Sequence, residues 1–303
     1  MTGDRVRIEE PDWLGQRGAI TEVLPRDRVL ERPPIANADQ ALLIFSLADP
    51  PLDRYQLSRF LVALESTGLT VIPCLSKADL VEEAQTHDWC ARLQKWGYAA
   101  QVFSVYADEG IQKLTQQLQQ HISVLAGPSG VGKSSLVNTI APNLALRVGA
   151  ISDRWRQGKH TTRHVELFEL PNGGLLADTP GFRQPTLRCA PSQLIHYFPE
   201  GRSRLAVSTC QFKDCLHRDE PNCVVRGDWE RYGDYLNFLA EVMAHQDQLQ
   251  RTRNPEAQTK RKFSAGGTMQ DEPLLNQKRY RRTSRKTQVQ SLDQLYEESQ
   301  DQD

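Results

Sequence analysis

Gly127-Pro128-Ser129-Gly130-Val131-Gly132-Lys133-Ser134 lies between an apolar run at 121–126 and the helix-forming opening Ser135-Leu136-Val137-Asn138. The octet matches the phosphate-binding loop G-x-x-x-x-G-K-[ST]. At ordinary glycine usage, a chance match in a chain of this size has a probability of roughly one in a hundred. The flanking strand and helix signals are the context that the motif requires. Its glycines let backbone N–H groups close around a phosphate, and the helix N-terminus adds positive potential. In that reading Lys133 bridges the β- and γ-phosphates and the Ser134 hydroxyl ligates Mg²⁺. Ser135 opens the helix beside them.

Working outward, Asp178-Thr179-Pro180-Gly181 follows the apolar run 175–177. D-x-x-G at a strand end is where α/β sheets bind ligands. Asp178 would hold Mg²⁺ through water, and the Gly181 N–H would meet the γ-phosphate. Between the two motifs lies Gln157-Gly158-Lys159-His160-Thr161-Thr162-Arg163. A threonine that reaches Mg²⁺ and the γ-phosphate belongs in this interval, with Thr162 the first choice and Thr161 the second. On the N-terminal side, Ser76-Lys77-Ala78-Asp79 follows the run 69–75 and is similar to N-K-x-D, the guanine-reading motif. Asp79 would accept hydrogen bonds from the guanine ring N–H and amino group, which adenine lacks, while the Lys77 stem covers the base. Ser76 stands where the motif has Asn, so the ties of that side chain to neighbouring loops are in question. Ser104-Val105-Tyr106 sits where a loop supporting the guanine O6 is expected.

The order of these motifs is informative. The guanine-reading pair precedes the phosphate loop, which precedes the threonine loop and D-x-x-G. That is a circularly permuted GTPase, built on the same sheet because each strand–helix unit keeps its place when the chain is cut elsewhere. The alternating pattern along 38–200 fits it: runs at 41–48, 69–75, 99–105, 121–126, 165–170 and 175–177 read as strands. Helical spacing at 54–65, 80–96 and 112–120 places helices between them. The expected class is α/β, a sheet covered on both faces.

The chain has 303 residues, with 37 Lys+Arg against 38 Asp+Glu and a formal charge of −1. The near-neutral sum conceals opposing segments. Residues 251–290 carry eleven basic and three acidic residues, a net of +8, and 291–303 carry five acids and no base. The first suits a phosphate-binding arm or a solvated tail, expected to be disordered together with the acidic end. Residues 1–37 are short and turn-rich, with strands at 4–8 and 19–24. They resemble part of a small β-barrel with too few strands to close: a truncated chain, a misplaced start, or an incomplete barrel. No apolar run reaches the ~20 residues of a membrane helix, and the start lacks a signal-peptide pattern, so a cytoplasmic protein with no membrane partner is expected.

Cys210, Cys215 and Cys223 fall within fourteen residues, with His217 among them, in the spacing C-x4-C-x-H-x5-C. Three thiolates and an imidazole fill a tetrahedral Zn²⁺ site with no open position, which makes the role structural. A disulfide is the rival for two of the thiols. Cys74, Cys90 and Cys189 have no local partner and read as ordinary thiols. Residues 201–226 look irregular, and 232–249 has the spacing of an amphipathic helix.

Over about residues 3–250 the chain resembles the ribosome small-subunit-dependent GTPase A (RsgA) family. The resemblance rests on Pro25-Arg26 with Leu30 and Arg32-Pro33, Ala36-Asn37-Ala38-Asp39, the permuted motifs, His160-Thr161-Thr162, Asp178-Thr179-Pro180-Gly181-Phe182 and the Cys/His cluster. It implies a partial N-terminal OB-fold (1–37), a permuted P-loop GTPase domain (38–200) and a zinc-binding helical domain (201–250), followed by the tail 251–303. It further implies a monomer that hydrolyses GTP when stimulated by the small ribosomal subunit and its rRNA, in late subunit maturation. In Ras-type enzymes a Gln just after D-x-x-G orients the attacking water; here that place is Phe182, so intrinsic turnover is expected at or below ~10⁻⁴ s⁻¹. His160 is a candidate for positioning the water, or a group contacting phosphate or RNA. The competing classes are a nucleotide-binding scaffold or switch on another RNP without useful hydrolysis, and an ATP-specific enzyme. Competition decides the last, with Asp79 predicting GDP: GDP should displace a fluorescent guanine nucleotide and ADP should not, and equal displacement by ADP would refute the guanine reading.

Overall fold

The computed structural model describes residues 1–12, 17–31, 34–142, 166–178, 185–253, 259–263 and 269–273. Two compact units divide the chain, Met1–Val242 and Met243–Asp303.

In the first unit β1 (Val6–Asp12) and β2 (Arg17–Val23) form an antiparallel hairpin, and β3 (Val29–Glu31) pairs with β4 (Pro34–Ala36). A bridge from Thr2 to Ile35 ties the chain start to β4. Among the described residues these are two separate two-stranded sheets. Then follow β5 (Gln40–Ser46), α1 (Arg54–Glu65), β6 (Thr70–Ser76), α2 (Glu83–Lys95), β7 (Gln101–Val102) and α3 (Asp108–Leu118). After them come β8 (Ile122–Ala126), α4 (Lys133–Ile140), β9 (Glu166–Glu169), β10 (Leu175–Asp178), α5 (Pro199–Val207) and α6 (Tyr232–Arg253), whose residues from Met243 onward belong to the second unit.

The main sheet has the order β7-β6-β5-β8-β10-β9. Its first five strands are parallel, and β9 runs antiparallel to β10 on the edge. β5 is buried at every residue, as a central parallel strand must be. Period two divides its side chains between the faces. Ala41, Leu43 and Phe45 pack with Leu57, Phe60, Leu61 and Leu64 of α1 and Leu93 of α2. Leu42 and Ile44 pack with Leu114 and Leu118 of α3 and Leu136 and Val137 of α4. The polar entrance to β5 is satisfied: the Gln40 amide donates to the Gln117 carbonyl at 3.0 Å and the Ser123 hydroxyl at 2.9 Å. Helix α1 begins where the Asp53 carboxylate accepts from the Gln56 N–H at 2.5 Å, the usual N-cap bond. It stops before Gly68, whose φ of 73° continues no helix.

The registers bring the functional loops to one edge. Ser46 faces Ser76, Leu43 faces Ala126, and Ala177 faces Val124. The carboxyl ends of β5, β6, β8 and β10 therefore open together.

Three sequence expectations need correction. The strand read at 99–105 is a two-residue pairing, because Ser104 turns back to bridge Ala107. The helix read at 80–96 is a 3₁₀ turn, Ala78–Leu80, followed by α2. The region 201–226, read as irregular, begins inside α5, and Pro199 at its first position starts the helix. In the second unit, β11 (Thr259–Phe263) and β12 (Met269–Pro273) pair antiparallel within the segment expected to be disordered. Lys260 lies opposite Glu272 there, and Arg261 opposite Asp271.

The Cys/His region packs on α1. Phe198, Trp229, Tyr235 and Phe238 form its aromatic core, with ring centroids 5.5 to 6.3 Å from Phe198. Arg231 is fully buried, paired with Glu200 at 2.5 Å and 4.8 Å above the Trp96 ring at the end of α2. Arg54 of α1 holds Asp234 of α6 in a bidentate pair at 2.8 and 2.9 Å. On the opposite side of α1, Phe60 is fully buried and meets Phe45 edge-on at 5.5 Å. Phe60→Ala should cost about 3–5 kcal/mol in denaturant unfolding, and a loss below about 1 kcal/mol would show that this layer is not the core.

Candidate functional site

The phosphate loop leaves β8 through Gly127, whose φ is 133°. A Cβ at this position would stand 2.1 Å from the Ile44 carbonyl oxygen, so no side chain fits. The loop ends at Gly132, where φ is 95° and α4 begins. Pro128 is half-buried and Ser129 and Gly130 are exposed, while Val131 is buried as the anchor beneath the loop. Lys133 reaches back across the loop, donating to the Gly127 carbonyl at 2.8 Å and to the Pro128 carbonyl. Its ammonium thus lies in the concavity that a phosphate would occupy. Ser134 and Ser135 are half-buried in the first turn of α4.

Beside this loop, β6 ends at Ser76, which is 2% exposed. Its hydroxyl donates to the Val131 carbonyl at 2.6 Å and has the Phe45 carbonyl at 3.2 Å. A hydroxyl carries one proton, and the shorter contact takes it. The residue that replaces Asn therefore still ties the guanine-reading loop to the phosphate loop. Lys77 adopts a left-handed φ of 58° and donates to the Asp49 carbonyl. Asp79 follows in the 3₁₀ turn, exposed. The Ala78 N–H reaches the Phe103 carbonyl at 3.5 Å, which places 103–106 alongside 76–79. There Ser104 is buried, its hydroxyl accepting from the Tyr106 N–H at 3.1 Å. Val105 is half-buried and Tyr106 is 88% exposed. The residues expected to read base and phosphate thus line one continuous edge.

Asp178 is the last residue of β10, next to β8 in the sheet. This puts its backbone beside the phosphate loop. His160, Thr161, Thr162 and Gly181 lie outside the described residues.

A second cluster joins Cys210, Cys215, His217 and Cys223, whose ligand atoms all lie within 4.8 Å of one another. His217 Nδ1 is 3.5, 3.4 and 3.3 Å from the three sulfurs, and Cys210 Sγ is 3.9 Å from Cys223 Sγ. Metal–sulfur and metal–nitrogen bonds of about 2.3 and 2.0 Å give tetrahedral edges of roughly 3.8 Å and 3.5 Å. The four atoms therefore fit one tetrahedral ion. Burial, then contact with the neighbouring thiols, pushes Cys215 up to about 12, and a cation would reverse that preference. Burial lowers the pKa of His217, which favours the neutral form of the ring that coordinates a metal. All six cysteines are free of disulfides, which removes the disulfide rival. Burial raises the thiol pKa of Cys74, Cys90 and Cys189, as inert thiols require.

The family model for the RsgA GTPase matches residues 23–188. The chain belongs to the RsgA GTPase family. It is 59% identical over 298 residues to the small ribosomal subunit biogenesis GTPase RsgA of Trichormus variabilis, covering 98% of this chain and 80% of that protein. Against the mitochondrial RsgA 1 of Arabidopsis thaliana the identity is 38%, covering 99% of this chain and 76% of the relative. The crystal structure of YjeQ from Thermotoga maritima superposes with a TM-score of 0.65 at 32% identity, covering 80% of this chain and 84% of the other. That of YloQ, a circularly permuted GTPase, gives 0.64 at 32% identity, covering 80% of each chain. The RsgA fold here is a circularly permuted GTPase sheet followed by a Cys₃His region.

Sequence reasoning missed two supports of these RsgA sites. Ser46 at the end of β5 accepts from the Ala48 and Asp49 N–H groups at 3.2 and 3.0 Å. That shapes the loop which holds Lys77; only the Asp49-Pro50-Pro51 turn signal hinted at it. The hydroxyls of Tyr232 and Tyr235 donate to the His217 and Leu216 carbonyls at 2.8 and 2.7 Å, and Glu220 accepts from the Leu216 and Arg218 N–H groups. These bonds orient the ligand loop from α6 and from within. Ser76→Ala would orphan the Val131 carbonyl at a cost of about 1–2 kcal/mol. GDP should then bind roughly tenfold more weakly, and unchanged affinity by calorimetric titration would dismiss this tie.

Proposed function

We propose that this chain hydrolyses GTP to GDP and phosphate in small ribosomal subunit biogenesis, with turnover stimulated when it docks on the subunit and its rRNA. One observation carries the reading: the guanine-reading loop at Ser76–Asp79 and the phosphate loop at 127–134 meet through the Ser76–Val131 bond, in the permuted order of a family whose relatives bear that name. In this assignment Gly127 to Ser135 wrap the phosphates, Asp79 reads the guanine edge, and Ser104 and Val105 support its O6. Lys133 stabilises charge on the transferring phosphoryl group, and the Gly181 N–H and Thr162 close on the γ-phosphate, with Thr161 the alternate. Mg²⁺ enters with GTP and would be held by Ser134, Thr162 and Asp178, supplying charge neutralisation at the β- and γ-oxygens. His160 is assigned to the attacking water.

The second ion is assigned as one structural Zn²⁺, because three thiolates and an imidazole are the donor set that this ion favours and leave no position open. Among the described residues no helix is long and apolar enough to cross a membrane. We assign a cytoplasmic monomer.

Phosphate release under multiple turnover should rise at least about tenfold on adding small subunits, a modest gain beside the ~10⁵-fold that a completed site gives Ras. An unchanged rate would sink the stimulated-enzyme reading in favour of a nucleotide-binding scaffold. Chelation should release one zinc per chain and weaken subunit binding while GDP affinity holds. Loss of GDP binding together with the metal would contradict two independent sites.

A further inference from the structure

Helix α1 carries two arginines toward the Cys/His region, and they are not equivalent. Among the described residues Arg54 pairs with Asp234, and that carboxylate is 4% exposed. Arg59, one turn further on, serves two elements at once. Its two terminal nitrogens donate to Glu241 of α6 at 2.7 and 2.6 Å, and its Nε–H donates to the Pro185 carbonyl at 3.0 Å. The guanidinium also lies 5.7 Å from the ring centroid of Phe238. Pro185 is four residues beyond Gly181, the residue of D-x-x-G assigned to the γ-phosphate.

We propose that Arg59 is a positioning residue that registers the segment following D-x-x-G against helix α6, so that the state of the γ-phosphate is passed to the Cys/His region. The inference rests on the nucleotide-site reading above. Its physical basis is the rigidity of the guanidinium. Three N–H donors in one plane are aimed at two separate partners. A displacement of Pro185 must either break the Nε–H bond or tilt that plane and open the bidentate grip on Glu241. Exposure then decides which arginine can switch. The Arg59 and Glu241 side chains are 24% and 40% exposed, so water can replace the bonds between them at little cost, whereas Pro185 is buried and carries Arg59 with it when it moves. The Arg54 pair has a buried acceptor, and breaking it would strand a charge. Arg54 fastens the two regions, while Arg59 reports between them.

The test compares amide hydrogen exchange of the full chain loaded with GDP and with a non-hydrolysable GTP analogue, read on peptides spanning 185–198 and 232–242. Wild-type protein should show a nucleotide-dependent difference on both. Arg59→Ala should bind both nucleotides as wild type does, keep the difference at 185–198 and lose it at 232–242. Arg54→Ala removes the other bidentate ion pair of the same helix and should keep the difference on both. A difference that persists at 232–242 in Arg59→Ala would overturn the proposal, and so would equal loss in Arg54→Ala, which would mean generic docking. A wild-type protein that binds both nucleotides without any difference overturns the coupling alone. Failure to bind guanine nucleotides removes the site reading and the coupling with it.

Discussion

The whole arrangement depends on β5 pairing in parallel with both of its neighbours. Its register sets Ser46 against Ser76 on one side and Leu43 against Ala126 on the other. Those pairings bring the end of the guanine-reading strand and the start of the phosphate loop to one edge. The backbone approach is so close that Gly127 has no room for a Cβ against the Ile44 carbonyl. Strand β5 itself contributes no group assigned to nucleotide. It is buried on both faces, and its burial fixes the distance between the two sites that do.

That constraint also explains how a permuted chain makes a working sheet. Parallel strands are joined by helical crossovers on either face, so their spatial order need not follow chain order. Moving the chain break places the D-x-x-G strand, β10, late in the domain, directly upstream of the Cys/His region. The same helix that follows β5 then meets both the chain leaving D-x-x-G and α6. Two bidentate arginine pairs on one helix make this a defined contact.

Much of this was legible in the sequence because the signals were local. The unbroken apolar run of β5, the glycine spacing of 127–132 and the Cys/His spacing each depend on residues close in the chain. Strand β7 was overread because alternation continues through Phe103, while pairing ends at Val102 where the Ser104 hydroxyl turns the chain. Helix α5 was missed because its apolar periodicity is weak and its start is set by Pro199. The role of Ser76 could not be read at all. Its partner, Val131, lies 55 residues away, and a shorter side chain suffices only because the two loops are already pressed together by the sheet. The same holds for Arg54 and Arg59, whose carboxylate partners are 180 and 182 residues distant; surface charges on a predicted helix carry no mark of such pairing.

The most direct test of the account is a structure of the full chain with a GTP analogue and Mg²⁺. The triphosphate should lie in the loop 127–134 with Lys133 turned from the Gly127 carbonyl to the β- and γ-phosphates, and the guanine edge should rest on Asp79. A nucleotide bound elsewhere, or a base turned away from Asp79 with Lys133 still on its own loop, would contradict it.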